Sequence, residues 1–146
     1  MRISRHRMFM DVASAVARRS TCHRLNVGAV IVDINHNIRS IGYNGVPSGK
    51  PHCSEVESRQ GSCSCIHAEA NALERHGPKA PFAIYVTHSP CRNCMRLLIK
   101  AQVEILIFES YYRRAEHLPA ASGKIKIYQI LPSDVVLEFG TGRIVQ

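Results

Sequence analysis

The chain has 146 residues, of which 45% are hydrophobic and 21% charged, and this composition is typical of a globular protein. Its length predicts one compact domain over residues 1–146, and no apolar run approaches the ~20 residues that a membrane-spanning helix needs. The formal net charge of +8 predicts an anionic partner, either a nucleotide or a nucleic acid, although surplus cationic side chains also serve simply to solvate a surface. The basic N-terminal residues lack an apolar signal core, so a cytoplasmic location is expected (that of the host cell, if the source is viral).

Hydrophobic periodicity predicts helices and strands that alternate along the chain. An amphipathic helix is predicted over 5–20, followed by strands at 27–33 and 38–44 that form a hairpin. A polar loop over 45–64 then leads into a helix at 67–77. The remaining predicted elements are a strand at 82–88, a helix at 91–102, and strands at 103–109 and 124–130. This order indicates an α/β fold, a three-layer α/β/α sandwich around a mixed five-stranded sheet.

Two short segments contain side chains that bind metals. The first, "SCSCIHAEANAL" (62–73), leads into a helix, and the second, "SPCRNC" (89–94), opens the next helix. In a reduced cytoplasm, cysteines beside histidines favour metal binding or catalysis over disulfides. The partial positive charge of a helix N-terminus also lowers a thiol pKa and favours the thiolate. His67, Cys91 and Cys94 therefore supply three protein ligands of the kind that suits Zn²⁺.

Three protein ligands leave a fourth coordination position open, as in catalytic zinc sites. Zinc lowers the pKa of water bound there to about 7, and Glu69 is close enough in sequence to His67 to take the proton and deliver it to a substrate. Hydrolytic deamination needs these groups, because hydroxide attacks an amidine-like ring carbon and the amino nitrogen leaves as ammonia. Alone, His-x-Glu is usually polar surface, and Cys-x-x-Cys also occurs in redox pairs and zinc knuckles. Their combination favours an open catalytic zinc site over a closed structural site.

The motifs resemble those of the zinc-dependent cytidine deaminase superfamily, in which H-x-E is followed by P-C-x-x-C. The finer resemblance is to the deoxycytidylate (dCMP) deaminase family, whose sequence blocks occur here in the family's order across about residues 5–112. The blocks are "STCHRLNVGAVIV" (20–32), "GYNGVPSG" (42–49) with "HC" (52–53), "HAEANA" (67–72) and "YVTHSPCRNC" (85–94). The resemblance implies a cytidine deaminase-like fold.

The resemblance also implies an enzyme that converts dCMP to dUMP, the precursor for thymidylate synthesis. In that case the three ligands named above hold the zinc and Glu69 transfers protons. The backbone amide of Ala68 is expected to contact the pyrimidine carbonyl, and the Asn44 side chain the sugar. The candidates for binding the 5′-phosphate are Ser20, Arg24, Asn26 and Tyr111. Many family members are hexamers that dCTP activates and dTTP inhibits, so a homo-oligomer with these effectors is expected.

The remaining four cysteines leave two interpretations open. Some members of the family hold a second, structural zinc, and the candidate ligands here are Cys22, Cys53, Cys63 and Cys65. Such an ion would fix a loop of ~20 residues that otherwise lacks regular structure. Alternatively, these residues are small buried thiols without a metal.

Two other functions compete with dCMP deamination. A tRNA adenosine deaminase, or a deaminase of another nucleotide, would share both zinc motifs, and an RNA substrate would suit the basic charge. Against it, the "GYNG" block and Asn71 follow the mononucleotide pattern. A non-catalytic, zinc-stabilised nucleic-acid-binding module would require four protein ligands on each zinc and would have no need of Glu69.

Overall fold

The structure is a computed structural model that describes residues 1–52, 64–112 and 115–145. Its elements are, in chain order, α1 (Arg5–Ala17), β1 (Gly28–Val32), β2 (Ile38–Tyr43), α2 (Ala68–Arg75), β3 (Ala83–His88), α3 (Arg92–Lys100), β4 (Ile105–Ser110), α4 (Leu118–Ala121), β5 (Lys126–Ile130) and β6 (Val136–Glu138). Among these described residues, none of the helices has both the length and the apolar character that a membrane crossing requires.

The strands form one mixed sheet in the order β2-β1-β3-β4-β5-β6. Strands β3, β4 and β5 run parallel to one another, whereas β1 is antiparallel to both β2 and β3, and β6 is antiparallel to β5. The predicted α/β class and the mixed sheet are therefore confirmed. The predicted number of five strands is wrong, because the described part of the chain adds β6 as a sixth. With only three residues, β6 is too short to show the alternation that reveals a strand in sequence.

Helices cover both faces of the sheet, as the three-layer prediction requires. On one face α1 contributes Phe9, Met10 and Ala13 to a core shared with inward-facing residues of the strands, which include Val30, Val32, Tyr85, Ile107 and Ile130. On the other face α2, α3 and α4 pack on the alternate strand residues, and this second core includes Ala29, Ile31, Ile84, Val86, Leu106 and Phe108. Because β1 is buried on both faces, it appears in the sequence as a continuous apolar run rather than an alternating one.

Two glycines allow helices to lie unusually close to the sheet. A Cβ on Gly28 would lie 2.0 Å from the carbonyl oxygen of Ala13 in α1, and a Cβ on Gly42 would lie 2.3 Å from that of Ala68 in α2. Neither contact is possible for a side chain, so glycine at these positions sets the helix–sheet distance. For α2 this matters to the site, because Ala68 follows His67 directly.

The segment that precedes α2 is also fastened to the loop after β2. Gly45 and Ile66 form an isolated antiparallel bridge, in which the Ile66 N–H donates to the Gly45 carbonyl at 2.7 Å and the Gly45 N–H donates to the Ile66 carbonyl at 3.1 Å. The bridge ends one residue before His67. It therefore fixes the direction in which the chain enters α2.

Candidate active site and metal centre

The three predicted metal ligands lie together where two helices begin. His67 is the N-cap residue of α2 and Cys91 that of α3, while Cys94 lies in the first turn of α3. The Nδ1 atom of His67 is 3.5 Å from the Cys91 Sγ atom and 3.3 Å from the Cys94 Sγ atom. All three ligand atoms lie within 4.8 Å of one another. We call these three residues the metal cluster.

The donor set of the metal cluster fits a zinc ion. In tetrahedral coordination with ordinary Zn–N and Zn–S bond lengths, a nitrogen and a sulfur ligand are roughly 3.5 Å apart. The two N–S distances of the cluster, 3.5 and 3.3 Å, agree with this separation. One imidazole with two thiols is also a borderline-to-soft donor set, and such a set binds zinc in preference to magnesium or calcium. The donor set and the spacing of the cluster therefore both fit zinc.

The two cysteines of the cluster differ strongly in acidity. Hydrogen bonds, first with Cys94 and then with His67, lower the pKa of Cys91 to about 3. The same contact with Cys91, together with burial, raises the pKa of Cys94. The backbone N–H of Cys94 also donates to the Cys91 sulfur at 3.5 Å. Cys91 is therefore the more acidic of the two thiols, and zinc binding would require both in the thiolate form.

Glu69 is a buried carboxyl group beside the metal cluster. It is the second residue of α2 and is only 4% exposed. Burial, the largest influence, raises its pKa. A carboxyl whose charged form is disfavoured by desolvation can hold a proton closer to neutral pH than an exposed glutamate can. Glu69 thus has the position and the acidity of a group that accepts and returns protons.

The cluster opens into a cleft that contains several of the predicted substrate-binding residues. Asn44, Ala68 and Arg24 line it together with Glu69. Ala68 is the first residue of α2, so its backbone N–H has no acceptor within the helix and faces the N-terminal end. Arg24 is exposed, as a side chain that meets an anionic ligand from solvent would be.

Asn44 has a structural role in addition to its place in the cleft. Its Oδ1 atom accepts the Val27 N–H at 2.8 Å, and its Nδ2 atom donates to the Leu25 carbonyl at 2.6 Å. The side-chain amide, 7% exposed, therefore closes the loop that enters β1. Nδ2 carries a second N–H besides the one that donates to Leu25, so the predicted contact with the sugar is compatible with this structural role.

The other three predicted phosphate-binding residues do not line the cleft. The Ser20 hydroxyl donates to the backbone carbonyl of Asn44 at 2.8 Å and so helps to hold this cleft residue in place. Asn26 is exposed, and Tyr111 is 53% exposed with its ring edge against Phe108. The neighbouring Tyr112 lines the cleft in the place that was expected for Tyr111.

His88, at the end of β3, also lines the cleft and was not among the predicted residues. Its Nδ1 atom lies 3.0 Å from the Thr87 hydroxyl, and that hydroxyl accepts the Gly28 N–H at 3.2 Å. Burial lowers the pKa of His88, which favours a neutral imidazole. With Nδ1 facing Thr87, its Nε2 atom is the ring nitrogen available to the cleft. The only signal in the sequence was its position three residues before Cys91.

The candidate ligands of a second zinc are only partly within the described residues. Cys22 is buried, Cys65 is half-buried, and both line the same cleft. Cys53 and Cys63 lie outside the described residues, so the second zinc stays a prediction. Nearby, the Thr21 hydroxyl lies 3.0 Å from Nδ1 of His52.

Comparison with known proteins gives a consistent set of relatives. Residues 3–110 match the family described as the cytidine and deoxycytidylate deaminase zinc-binding region. The deoxycytidylate deaminase of Mycobacterium phage D29 is 34% identical over 117 residues, which cover 68% of this chain and 90% of that protein. ComE operon protein 2 of Bacillus subtilis is 38% identical over 119 residues, which cover 77% of this chain and 62% of that protein.

A solved structure extends this similarity to the fold. The dCMP deaminase from the cyanophage S-TIM5, in complex with dCMP and dUMP, matches with a TM-score of 0.77 and 27% sequence identity. The match covers 88% of this chain and 98% of that one. The arrangement of strands and helices around the cleft is therefore shared along almost the whole length of the phage protein.

Proposed function

Since the chain belongs to the cytidine and deoxycytidylate deaminase zinc-binding family, we propose that it hydrolyses dCMP to dUMP and ammonia. The observation that carries the proposal is a single cleft in which the metal cluster and the buried Glu69 carboxyl lie with Asn44 and Arg24. The relative from phage D29 is named for this activity, and the cyanophage structure holds both dCMP and dUMP, which supports this substrate.

In the proposed reaction the metal cluster holds zinc, which, when bound, makes water acidic enough to supply a nucleophile near neutral pH. Oxygen adds to C4 of the pyrimidine, and the bond from C4 to the amino nitrogen breaks. Glu69 accepts the first proton of the attacking water and delivers it to N3 of the ring; it then accepts the second proton from the added hydroxyl and delivers it to the amino nitrogen, which departs as ammonia. The Ala68 N–H donates to the pyrimidine carbonyl, and Arg24 pairs with the 5′-phosphate.

Substitution of Glu69 by glutamine tests the proton-transfer role. The variant keeps the shape and polarity of the side chain but cannot accept a proton, so kcat for dCMP should fall by about 10²- to 10⁴-fold. Zinc content, measured by atomic absorption, should remain that of the parent. Glu74→Gln on the exposed side of the same helix is the matched control and should leave both values unchanged. Parent activity in Glu69→Gln would refute the mechanism.

The phosphate role of Arg24 predicts a difference between two substrates. Arg24→Gln should raise KM for dCMP by about tenfold or more, since a charge-assisted hydrogen bond contributes about 1.5–3 kcal/mol, and should leave the turnover of deoxycytidine unchanged. Arg18→Gln, an exposed arginine at the end of α1, is the control. Rates on dCMP, deoxycytidine and a tRNA anticodon stem-loop are measured in parallel. Turnover confined to the RNA would replace dCMP deamination by tRNA adenosine deamination.

We further propose that the active form is a homo-oligomer, a hexamer, that dCTP activates and dTTP inhibits. The support is the "GYNG" block (42–45), which resembles the loop that lies close to the effector pocket in regulated family members. Multi-angle light scattering and initial rates with each triphosphate test this. We also propose a second, structural zinc, and an unchanged zinc stoichiometry in Cys53→Ser would refute it. A cytoplasmic location also stays a prediction.

A further inference from the structure

The loop that carries Cys91 is held by the last residue of β4 and by the chain segment that follows it. The Ser89 N–H donates to the Ser110 carbonyl at 2.9 Å, and the Tyr112 N–H donates to the Ser89 hydroxyl at 2.7 Å. A third contact joins His117 to the same loop, since its Nε2 atom lies 2.7 Å from the carbonyl oxygen of Pro90. Residues 89 and 90 are both buried, and the two side-chain contacts that hold them are partly buried.

In the hydrogen bond between His117 and Pro90, the histidine must be the donor. A carbonyl oxygen accepts hydrogen bonds and cannot donate, so Nε2 of His117 must carry the hydrogen. The backbone at His117 is anchored, because the next residue, Leu118, is fully buried in the core that α3 and α4 cover. His117 is therefore a donor to the loop from an anchored position on the backbone.

The planarity of the peptide bond connects this donor to the metal cluster. The carbonyl oxygen of Pro90 lies in one rigid plane with the nitrogen and the Cα atom of Cys91. Fixing that oxygen fixes the plane from which the Cys91 side chain leaves. Cys91 is also the N-cap of α3, so the same plane sets the entry into the helix that carries Cys94.

We propose that His117 is a positioning residue for the metal cluster, which it orients through the Pro90 carbonyl. It lies outside residues 3–110, the part that matches the family, so the family motifs do not contain it. The inference concerns the geometry of the cluster and rests on the proposed function only where turnover is measured.

Three substitutions of His117 distinguish the effect of its hydrogen bond from the effect of filling the same space with a side chain. His117→Gln places an amide N–H at nearly the reach of Nε2, whereas His117→Asn ends one bond short and His117→Ala has no donor. Loss of an outer partner of a metal site costs about 10- to 100-fold in metal affinity or activity, so we expect zinc release about tenfold faster in the Asn and Ala variants. The Gln variant should release zinc at close to the parent rate.

Zinc release is followed as transfer from the zinc-loaded protein to a chromophoric chelator, without substrate. In dCMP assays at saturating zinc, kcat should fall in the Asn and Ala variants while KM stays near the parent value, because His117 is not among the described residues that line the cleft. His76→Ala is the matched control: that histidine also contacts a backbone carbonyl, with Nδ1 3.0 Å from the Lys79 oxygen, but at an exposed site. It should leave zinc release unchanged.

The zinc-release outcomes test the positioning role of His117 independently of the proposed deaminase activity. Parent release rates in His117→Asn, or equal acceleration in the Gln and Asn variants, would overturn the positioning role. If the parent protein held zinc but did not act on dCMP, the proposed function would fail while the zinc-release comparison kept its meaning. Should His117→Ala not fold, the polar Gln and Asn pair carries the test alone.

Discussion

Substitution of Gly42 by alanine tests whether the position of α2 is set by its close approach to β2. A Cβ at this position would lie 2.3 Å from the Ala68 carbonyl oxygen and 2.6 Å from the Ala72 nitrogen. Both are backbone atoms of α2, which cannot rotate away as a side chain could. Because nonbonded atoms pack at about 3.5 Å, the helix must move from the sheet by about 1 Å.

The cost of this displacement has two parts. Forcing extra atoms into a packed core costs typically about 1–3 kcal/mol, and the smaller entropy of the unfolded alanine chain returns about 0.4–1 kcal/mol. We therefore expect a net loss of about 1–2 kcal/mol in the free energy of unfolding. The helix begins directly after His67 and carries Glu69, and a misplacement of about 1 Å in catalytic groups can cost about 100-fold in rate. A comparable fall in kcat/KM for dCMP is expected.

Urea unfolding and dCMP kinetics at saturating zinc measure the two effects. The control is Gly45→Ala in the same sequence block, where a new Cβ would have Thr21 Oγ1 as its nearest neighbour at 3.7 Å, an ordinary contact. That variant should keep the parent stability and activity. If Gly42→Ala unfolds and turns over like the parent, or if both glycine variants lose activity alike, the close helix–sheet approach does not set the site.

Two further predictions concern contacts between α1 and the rest of the fold. The Arg7 side chain is 11% exposed and pairs with the Glu109 carboxylate at 2.5 Å. Arg7→Met should lower the free energy of unfolding by roughly 3 kcal/mol, because it leaves the partly buried Glu109 carboxylate without its partner. Adding Glu109→Gln should recover part of this loss, as measured by urea unfolding. Asp134 accepts hydrogen bonds from the hydroxyl and the N–H of Ser4, which lower its pKa below the usual value. Its contribution is therefore present above the unfolded-state pKa of about 3.9 and is lost as pH falls through the folded-state value. Asp134→Asn should be less stable than the parent at pH 6, with a difference that narrows below about pH 4; a constant difference would contradict this.

The sequence was sufficient for the elements that have a strong periodic or motif signal. The buried strand β1 and the two helices that begin at the metal ligands were all predicted close to their observed bounds. The four-residue α4 and the three-residue β6 were missed, because segments of that length show no periodicity. Helix α1 ends at Ala17, a few residues earlier than the pattern indicated.

Within the site, the sequence could predict residue types but not which of two neighbours faces the cleft. Tyr111 and Tyr112 follow β4 directly, and successive residues of an extended chain point to opposite sides. The hydrogen bond from the Tyr112 N–H to Ser89 and the packing of the Tyr111 ring on Phe108 accompany the placement of Tyr112, not Tyr111, in the cleft. The inward position of His88 likewise depends on Thr87 and Gly28, whose contact joins two strands far apart in sequence.

The metal cluster joins two ligands that are close in sequence to a third that is distant, and different structural features hold the pair and the third ligand in place. Cys91 and Cys94 are three residues apart at the start of one helix, so helical geometry alone brings both sulfurs to the same end. His67 is 24 residues from Cys91 in the chain, and its place depends on how closely α2 lies on the sheet. The spacing within each motif therefore sets the local pair, whereas the approach at Gly42 and the Gly45–Ile66 bridge set the third ligand. A substitution at Gly42 should consequently displace His67 relative to the cysteine pair, whereas one at His117 should act on the orientation of that pair through the Pro90 carbonyl.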